Sequence, residues 1–380
     1  MNARERFIRT LLFQNVDRLP FCEWMGWWPE TIHRWYREGL PIGTNPKDYF
    51  RFDPIGCDRR AETELFWRLT QLEGTVGFPE PIDFGPIPRF VPRTLEEDER
   101  YKIELDEWGI KKKTLRTETS MPAFLDFPVR TRDDFEKMKK RYDPNDPRRY
   151  PKTWGPELVE FYETADYPVG IGFPGFFGQP RQLMGLMSLL KSFYRDQKLI
   201  RDILDFWKEF VIETMERAVS EARIDYVNIW EDMAYNNGPL ISPRLFEEFL
   251  LPQYKEVTSF VQKNGVKIVM VDCDGDVSAL IPLFLEGGVN CMYPFEARAN
   301  MNVVAAREKY GQRMAIIGAI DKTALIKGRE EITREVESKV PPLAKTGGYI
   351  PSVDHGVPSD VPFQNYAYYI ELLESCVTKV

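Results

Sequence analysis

The sequence predicts an α/β fold built around a parallel sheet that is buried on both faces. Between residues 168 and 353, short apolar runs rich in β-branched residues alternate with longer amphipathic stretches of helical periodicity. The runs are almost continuously apolar, which is typical of parallel strands covered by helices on each side. A doubly wound sheet would give the same alternation, but no glycine-rich dinucleotide fingerprint follows any of the runs.

The alternation also fixes where these elements lie along the chain. We predict strands at 168–173, 226–231, 267–272, 289–293, 314–318 and 348–353. The predicted helices lie at 179–220, 243–264, 276–286, 301–310 and 329–345. Each helical stretch is long enough to return the chain to the start of the next parallel strand.

The first part of the chain, residues 1–165, is predicted to be an elaboration around the first strand. Residues 2–15 have helical periodicity, and Arg18–Trp24 is predicted to be a short strand. Residues 99–117 alternate in polarity as a hairpin does. Residues 131–166 are polar and rich in proline, so we expect surface helices and loops there.

Length and composition indicate one large domain. The chain has 380 residues, whereas a compact (β/α)8 barrel needs about 250. We therefore predict a single domain over residues 1–380, in which residues 166–380 carry the functional site. Hydrophobic residues make up 43% of the sequence and aromatic residues 13%, which is enough for a sizeable core.

Charge and cysteine content exclude several classes of protein. The 51 basic and 59 acidic residues are interleaved and give a net charge of −8, so no basic nucleic-acid surface is expected. The five cysteines are far apart and form no Cys-x-x-Cys pair, which favours a reducing compartment over disulfide bonds. The sequence contains neither a signal-peptide core nor an apolar stretch of about eighteen residues. We expect a cytoplasmic protein without membrane segments, and a homodimer is compatible with the sequence.

Acidic side chains follow the predicted strands at the points where the strands end. These points have the sequences Trp230-Glu-Asp232, Asp272-Cys-Asp-Gly-Asp276, Pro294-Phe-Glu296, Asp321-Lys322 and Asp354-His-Gly356. In a barrel the loops after the strands share one mouth, so we expect these carboxylates to converge. Converging carboxylates raise one another's pKa unless a cation or a proton is shared. Such a cluster calls for a metal ion, a basic ligand or proton transfer.

Four of these residues suggest a metal site. Asp272 and Asp274 are separated by one residue, so both can face the mouth while Cys273 points away. Together with Glu296 and His355 they would form an oxygen-rich divalent site, with zinc as the first candidate and manganese or iron as others. The alternative is a hydrogen-bonded polar cluster without a metal.

His355 is also the first candidate for a catalytic residue. It is one of two histidines in the chain, and it follows the last strand beside Asp354, which could orient the imidazole. Glu231 and Asp321 are predicted as further catalytic residues. For Glu231-Asp232 a structural ion pair is the alternative interpretation.

Aromatic residues and one lysine are candidates for substrate contacts. We assign this role to Trp24, Trp27, Phe177, Tyr235 and Lys322. The two tryptophans could form the floor of a pocket that binds a flat or methylated ligand. The alternative is that they pack in the hydrophobic core. The segment Pro174–Pro180, which contains Phe177, is either a pocket wall or a turn with buried aromatic rings.

An ordered series of motifs resembles the uroporphyrinogen decarboxylase superfamily. The series comprises Arg4-Glu-Arg6, Val16-Asp-Arg-Leu-Pro20, Trp230-Glu-Asp-Met-Ala-Tyr235, Asp272-Cys-Asp-Gly-Asp276, Leu285-Glu-Gly-Gly-Val-Asn290, Pro294-Phe-Glu296, Ile317-Gly-Ala-Ile-Asp-Lys322, Gly347-Gly-Tyr-Ile350 and Asp354-His-Gly356. The resemblance touches most of the chain. It implies a single (β/α)8 TIM barrel with an N-terminal helical and hairpin elaboration.

The resemblance also separates two chemistries within the superfamily. Uroporphyrinogen decarboxylases bind the substrate carboxylates with an Arg-Gln-Ala-Gly-Arg element after the first strand, and this chain has Trp24-Met-Gly-Trp-Trp28 there. Without those arginines a substrate with eight carboxylates loses its counter-charges. The second branch comprises zinc-dependent methyltransferases that work with corrinoid proteins or coenzyme M.

The metal-binding pattern of that second branch is altered in this chain. Its His-x-Cys positions correspond to Asp272 and Asp274, its glutamate to Glu296, and its late cysteine to His355. Loss of the thiolates suits a harder leaving atom, such as an oxygen. The resemblance thus implies a metal-assisted methyltransferase that moves a methyl group from an O- or N-methylated small molecule to a corrinoid protein.

Two alternatives remain at this stage. The first is a decarboxylase (lyase) that acts on a smaller carboxylic acid held by Arg181 or Lys322, with His355 or an acid as proton donor. The second is a barrel that binds a corrinoid or another ligand without turnover.

Overall fold

A parallel sheet of six strands forms the centre of the structure, a computed structural model in which residues 1–55, 82–116 and 121–378 are described. The strands of the chain are β1 Arg93–Glu97, β2 Tyr101–Leu105, β3 Lys111–Leu115, β4 Ala123–Asp126, β5 Gly170–Pro174, β6 Tyr226–Trp230, β7 Ala234–Tyr235, β8 Gly238–Pro239, β9 Ile268–Asp272, β10 Cys291–Tyr293, β11 Ala315–Ile320 and β12 Tyr349–Val353. The central sheet has the order β5-β6-β9-β10-β11-β12, and every neighbouring pair is parallel. The six predicted strands are confirmed, and their bounds differ from the prediction by at most two residues.

Helices connect the strands of this sheet. They are Ala3–Leu11, Pro29–Glu38, Pro46–Tyr49, Arg132–Lys139, Pro156–Thr164, Gly178–Met184, Leu186–Arg195, Gln197–Glu221, Pro243–Leu245, Leu251–Lys263, Ile281–Glu286, Val303–Tyr310, Lys322–Lys327, Arg329–Thr346 and Phe363–Val377, with a π-helical turn at Phe246–Leu250. Among the described residues, no helix has the length and apolarity needed to cross a membrane. The four described cysteines form no disulfide bond, and Cys57 lies outside the described residues.

The helical stretch predicted at 179–220 is divided into three helices in the structure. The first break is at Gly185, whose φ of +74° lies in the left-handed region that glycine adopts without strain. Its missing side chain also makes room for the Phe127 ring, because a Cβ atom at Gly185 would lie 2.3 Å from that ring. The second break is at Asp196, whose side chain accepts a hydrogen bond from the Leu199 N–H. Periodicity continues through both breaks, which is why the sequence did not show them.

A second sheet, antiparallel and four-stranded, precedes the parallel sheet. Strands β2 and β3 pair in the register Tyr101↔Leu115 to Leu105↔Lys111, which confirms the predicted hairpin, and β1 and β4 flank them. A backbone hydrogen bond from Val129 to Leu183 then attaches the chain after β4 to the helix that follows β5. This sheet is therefore fixed beside the strand ends of the parallel sheet.

The side chains inside the parallel sheet form a hydrophobic cluster of their own. The buried members of this cluster are Ala3, Phe7, Leu11, Cys22, Trp24, Ile55, Tyr226, Ile268, Met270, Cys291, Tyr293, Ala315, Ile317 and Ile350. The Trp24 ring stacks on Phe7 at 5.8 Å and contacts Tyr293 at 5.5 Å. The N-terminal helix also binds residues just before β5 and β6, since the Arg4 side chain pairs with Asp225 and the Arg4 N–H bonds to Asp166. It therefore closes the end of the interior where the strands begin, as expected of a filled barrel.

The segment Arg18–Trp24 is extended but forms no ladder of backbone hydrogen bonds, so the predicted strand there is replaced by side-chain contacts. The Trp24 N–H donates to Ser352 Oγ at 2.9 Å. The buried Glu23 carboxylate accepts hydrogen bonds from the Val353 N–H at 3.1 Å, from the Tyr366 hydroxyl at 3.0 Å and from the Ser352 hydroxyl. Glu23 thus joins the segment Arg18–Trp24 to β12 and to the last helix.

Burial of Glu23 predicts a pH-dependent stability. Desolvation raises the pKa of Glu23 from 4.5 to about 7, so the folded protein holds this proton more tightly than the unfolded chain does. Stability is therefore lost as the pH rises through about 7, by up to about 3 kcal/mol. We expect the free energy of unfolding of wild type, minus that of Glu23→Gln, to fall between about pH 5 and about pH 8 in urea titrations. A difference that does not change with pH would contradict this.

Candidate functional site

Three aspartates meet where the parallel strands end. Asp232, Asp272 and Asp274 each offer an oxygen atom within 4.8 Å of the other two. They meet because β6 and β9 are neighbours in register, with Trp230 paired to Asp272. The φ of Asp232 is +45°, a backbone conformation that is uncommon for a residue other than glycine and occurs at functional sites. The predicted convergence of Asp272 and Asp274 is thus present, and Asp232 joins them.

The ionisation of these aspartates is strongly coupled. Burial, with the neighbouring Asp274 as the next cause, raises the pKa of Asp232 to about 6. Burial together with Asp232 and Asp274 raises the pKa of Asp272 well above its ordinary value. Burial and the neighbouring carboxylates thus disfavour the ionised forms of Asp232 and Asp272, and a shared proton or cation would relieve this repulsion.

His355 adds a nitrogen atom to this cluster. Its Nε2 lies 3.6 Å from Asp274 Oδ2. The contact with Asp274 outweighs burial and raises the pKa of His355. Residues from the loops after β6, β9 and β12 are therefore brought together, as the sequence predicted for His355 and the two aspartates of β9.

Glu296 lies beside the cluster, but other groups occupy both of its oxygens. Oε2 accepts a hydrogen bond from the Gly275 N–H at 2.9 Å, and Oε1 pairs with Lys322 Nζ at 3.2 Å. For Glu296 to bind an ion, this pair with Lys322 would have to open. Lys322, predicted to contact substrate, is half-buried in this ion pair.

Asp354 has a different role from the one expected. We expected its carboxylate to orient His355, but the side chain is fully buried and binds backbone groups instead. It accepts hydrogen bonds from the Ala297 N–H at 3.0 Å and from the Lys322 N–H at 3.1 Å. It therefore connects the loops after β10, β11 and β12, and this burial raises the pKa of Asp354 to about 6.

Glu231, predicted as catalytic, lies in the core and away from the cluster of aspartates. Its carboxylate accepts backbone hydrogen bonds from Phe176 at 2.8 Å, Phe177 at 2.7 Å and Gly178 at 2.8 Å, and a further one from the Tyr254 hydroxyl. Glu231 therefore lies in the core, whereas the next residue, Asp232, lies with the other two aspartates at the strand ends. Phe177, predicted as a substrate contact, is fully buried in this turn.

The position of Glu231 predicts a structural effect of its substitution. In Glu231→Gln, an amide nitrogen must face at least one of these buried donors, and we expect a loss of about 1–3 kcal/mol in the free energy of unfolding. The exposed Glu216 provides the matched control, since Glu216→Gln should change stability by less than about 0.5 kcal/mol. Equal stability of both variants in guanidinium titrations would contradict the structural role.

Three other predicted site residues also lie in structural positions. Asp321 caps the helix Lys322–Lys327 by accepting a hydrogen bond from the Thr323 N–H at 2.8 Å. Trp24 is enclosed in the interior cluster, and Trp27 packs between Phe52 and Tyr366. These three side chains are therefore engaged in helix capping and packing.

A cavity of about 860 Å³ opens beside the aspartates. It lies between the antiparallel sheet and the loops after β5 and β6. Its lining residues are Asp106, Glu107, Trp108, Ile110, Lys112, Met121, Phe124, Leu125, Asp126, Phe127, Arg130, Arg181, Gln182, Met184, Gly185, Leu186, Met187, Ser188, Trp230, Asp232 and Tyr235. Of the predicted substrate contacts, Tyr235 is part of this wall. The cavity shares Asp232 with the aspartate cluster.

Sequence reasoning placed Asp232 among the acids at the strand ends but did not assign it to the metal site, and it missed the antiparallel sheet as a cavity wall. The dipeptide Glu231-Asp232 did show that an acid follows β6, but it did not show which of the two faces the mouth. The sheet lies far from the site in sequence. Its one signal was Trp108, a large aromatic residue at a hairpin turn.

Comparison with known proteins agrees with this architecture. The family model described as "Uroporphyrinogen decarboxylase (URO-D)" matches residues 104–376. The uroporphyrinogen decarboxylase of Psychromonas ingrahamii is 22% identical over 209 residues, which are 52% of this chain and 57% of that protein. The enzyme of Coxiella burnetii is 22% identical over 140 residues, 36% of this chain and 38% of that protein. The chain therefore matches between 38% and 57% of the length of these two relatives.

A solved structure extends the likeness to the whole chain. A methyltransferase from Methanosarcina mazei superposes with a TM-score of 0.60 at 16% sequence identity, covering 99% of this chain and 98% of that one. At this identity the likeness concerns the fold. The six parallel strands with their flanking helices confirm the predicted α/β class, and the family match and this likeness imply the predicted (β/α)8 TIM barrel. The chain belongs to the uroporphyrinogen decarboxylase (URO-D) family.

Proposed function

We propose that this protein is a metal-assisted methyltransferase that moves a methyl group from an O- or N-methylated small molecule to a corrinoid protein. The observation that carries the proposal is the aspartate cluster beside His355, one member of which, Asp232, also lines a cavity of about 860 Å³. The cavity has the size of a small-molecule site. The solved methyltransferase with the same fold supports the reaction class.

The donor atoms of the cluster fit a divalent ion. Three carboxylate oxygens within 4.8 Å of one another and a nearby imidazole nitrogen form a set that zinc, manganese or iron accepts. We assign Asp232, Asp272, Asp274 and His355 as the residues that hold it. Glu296 would join them only if its ion pair with Lys322 opened. A bound ion would supply Lewis acidity to the heteroatom that loses its methyl group.

The residues around the cluster have separate tasks in this proposal. Asp232 belongs to both the cluster and the cavity, so it places the heteroatom of the substrate beside the donor set. Arg181 donates a hydrogen bond to the Asp232 carbonyl at 2.7 Å and fixes that loop. A corrinoid carried by the partner would accept the methyl group, and the heteroatom would keep the electron pair of the broken C–O or C–N bond.

Exposed apolar side chains near the cavity support the approach of a partner protein. Met187 is 63% exposed, Tyr235 58% and Leu125 47%. All three line the cavity, and apolar side chains grouped at an opening are typical of interaction sites.

The metal assignment predicts the metal content of variants. Protein purified without chelators should contain about one divalent ion per chain by elemental analysis. The double variant Asp272→Asn/Asp274→Asn should bind zinc at least about tenfold more weakly, because two of the donor oxygens become amides. Asp276→Asn is the matched control, since Asp276 lies two residues away and outside the cluster. Unchanged loading in the double variant would refute the site.

The reaction predicts formation of methylated corrinoid. Protein mixed with cob(I)alamin and an aryl methyl ether should produce the absorption spectrum of methylcobalamin, and His355→Ala should reduce the rate by at least about a hundredfold. Asp276→Asn should retain the rate. Inertness across a broad panel of O- and N-methylated donors would refute methyl transfer.

The decarboxylase alternative is favoured by one observation, the presence of Arg181 in the cavity wall, where it could hold a carboxylate. Its contacts with Asp232 weaken this function, because the substrate would have to compete with them. Release of carbon dioxide from a carboxylic acid after exhaustive chelation, without a corrinoid protein, would favour the decarboxylase.

A further inference from the structure

The cavity described above, which we call the sheet-side cavity, has walls rich in aromatic rings. Trp108 comes from the turn between β2 and β3, Phe124 from β4, and Trp230 and Tyr235 from the end of β6 and from β7. Methionine and leucine side chains from the region of Gly185 complete the apolar part of the wall. Flat rings offer large apolar surfaces on which another ring can stack.

The wall contributed by the antiparallel sheet is held firmly in place. The Phe127 ring occupies the space that a side chain at Gly185 would need. On the other side, the Arg89 guanidinium lies 5.2 Å from the centre of the Trp108 ring and binds both oxygens of Asp83, at 2.8 and 2.9 Å. The aromatic surface is therefore organised before a ligand binds, which lowers the entropy cost of binding.

The charges of the cavity are balanced within its own wall. Lys112 lies 3.4 Å from Asp106, and Arg130 pairs with Asp126. The third lining cation, Arg181, is 4.0 Å from the Asp232 carboxylate and hydrogen-bonded to its carbonyl. Every lining cation in the described part of the chain thus has an acidic neighbour.

Acidic groups outnumber basic ones near this cavity. Glu107 lines it without an ion pair among the described residues, and Asp272 and Asp274 adjoin Asp232. A ligand carboxylate would have to displace an existing ion pair or enter beside uncompensated acids, and both are unfavourable. A ligand without negative charge meets no such penalty.

From these observations we infer that the sheet-side cavity binds an uncharged, flat aromatic methyl ether, with its ring between the aromatic side chains and its methoxy oxygen toward Asp232. This inference names the substrate class for the proposed methyl transfer and rests on that function. It excludes methoxylated aromatic acids, whose carboxylate would lack a free counter-ion. Ring binding itself requires neither a metal ion nor a corrinoid.

A pair of fluorescent probes that differ by one carboxylate tests the inference. We expect 2-methoxynaphthalene to bind the full-length protein at least about tenfold more tightly than 6-methoxy-2-naphthoate in fluorescence titrations, because the second probe carries the carboxylate that the wall does not compensate. Equal or tighter binding of the naphthoate would overturn the inference.

Variants of the wall locate the binding site. Trp108→Ala and Tyr235→Ala should each weaken the binding of 2-methoxynaphthalene by about tenfold, because each removes a ring surface. Tyr235 is mostly exposed, so its truncation leaves the core intact. Tyr101→Ala is the matched control, since Tyr101 lies in the same sheet against Lys113 and outside the cavity, and it should bind as wild type does. Unchanged affinity in both wall variants would also overturn the inference.

The two proposals fail in distinguishable ways. The titrations are run with and without a chelator, and we expect the preference for the uncharged probe and its dependence on Trp108 and Tyr235 to persist after chelation. Selective ring binding without methyl transfer would refute the proposed function and leave the cavity assignment standing. Methyl transfer from donors that do not depend on Trp108 or Tyr235 would support the function and refute the cavity assignment.

Discussion

The register between β6 and β9 is the constraint on which the site depends. Trp230 pairs with Asp272 across these strands, so the two chains end side by side and the residues that follow them enter the same volume. Hydrogen bonding of the backbone therefore places three like charges within a few ångströms, against their mutual repulsion. A displacement by one residue would turn these side chains toward the opposite face of the sheet.

Buried carboxylates outside the cluster hold the loops in this arrangement. Glu231 fixes the turn after β5 through three backbone N–H groups, and Asp354 connects the loops after β10, β11 and β12. Glu23 joins the segment Arg18–Trp24 to β12. Acids at strand ends thus divide into one group that supports the backbone and another that remains accessible, although both look alike in the sequence.

The sequence predicted the elements that depend on local pattern. The six apolar runs became the parallel strands, and β2 and β3 formed the predicted hairpin, because both signals come from side-chain alternation within a few residues. The convergence of Asp272, Asp274 and His355 also followed from strand order. The sequence did not show that Glu231 enters the core while Asp232 reaches the mouth, because the positive φ of Asp232 is set by tertiary contacts. Nor did it show the cavity, whose walls come from segments more than a hundred residues apart.

The contact between Phe127 and Gly185 joins the antiparallel sheet to the helices that follow β5 of the parallel sheet. The parallel sheet carries the aspartate cluster, whereas the antiparallel sheet carries Trp108 and Phe124 on the opposite side of the cavity. Substitutions on the inner surface of that sheet would change the lining of the cavity while the strand ends stay as they are. A scaffold divided in this way allows the shape of the cavity to vary independently of the aspartates.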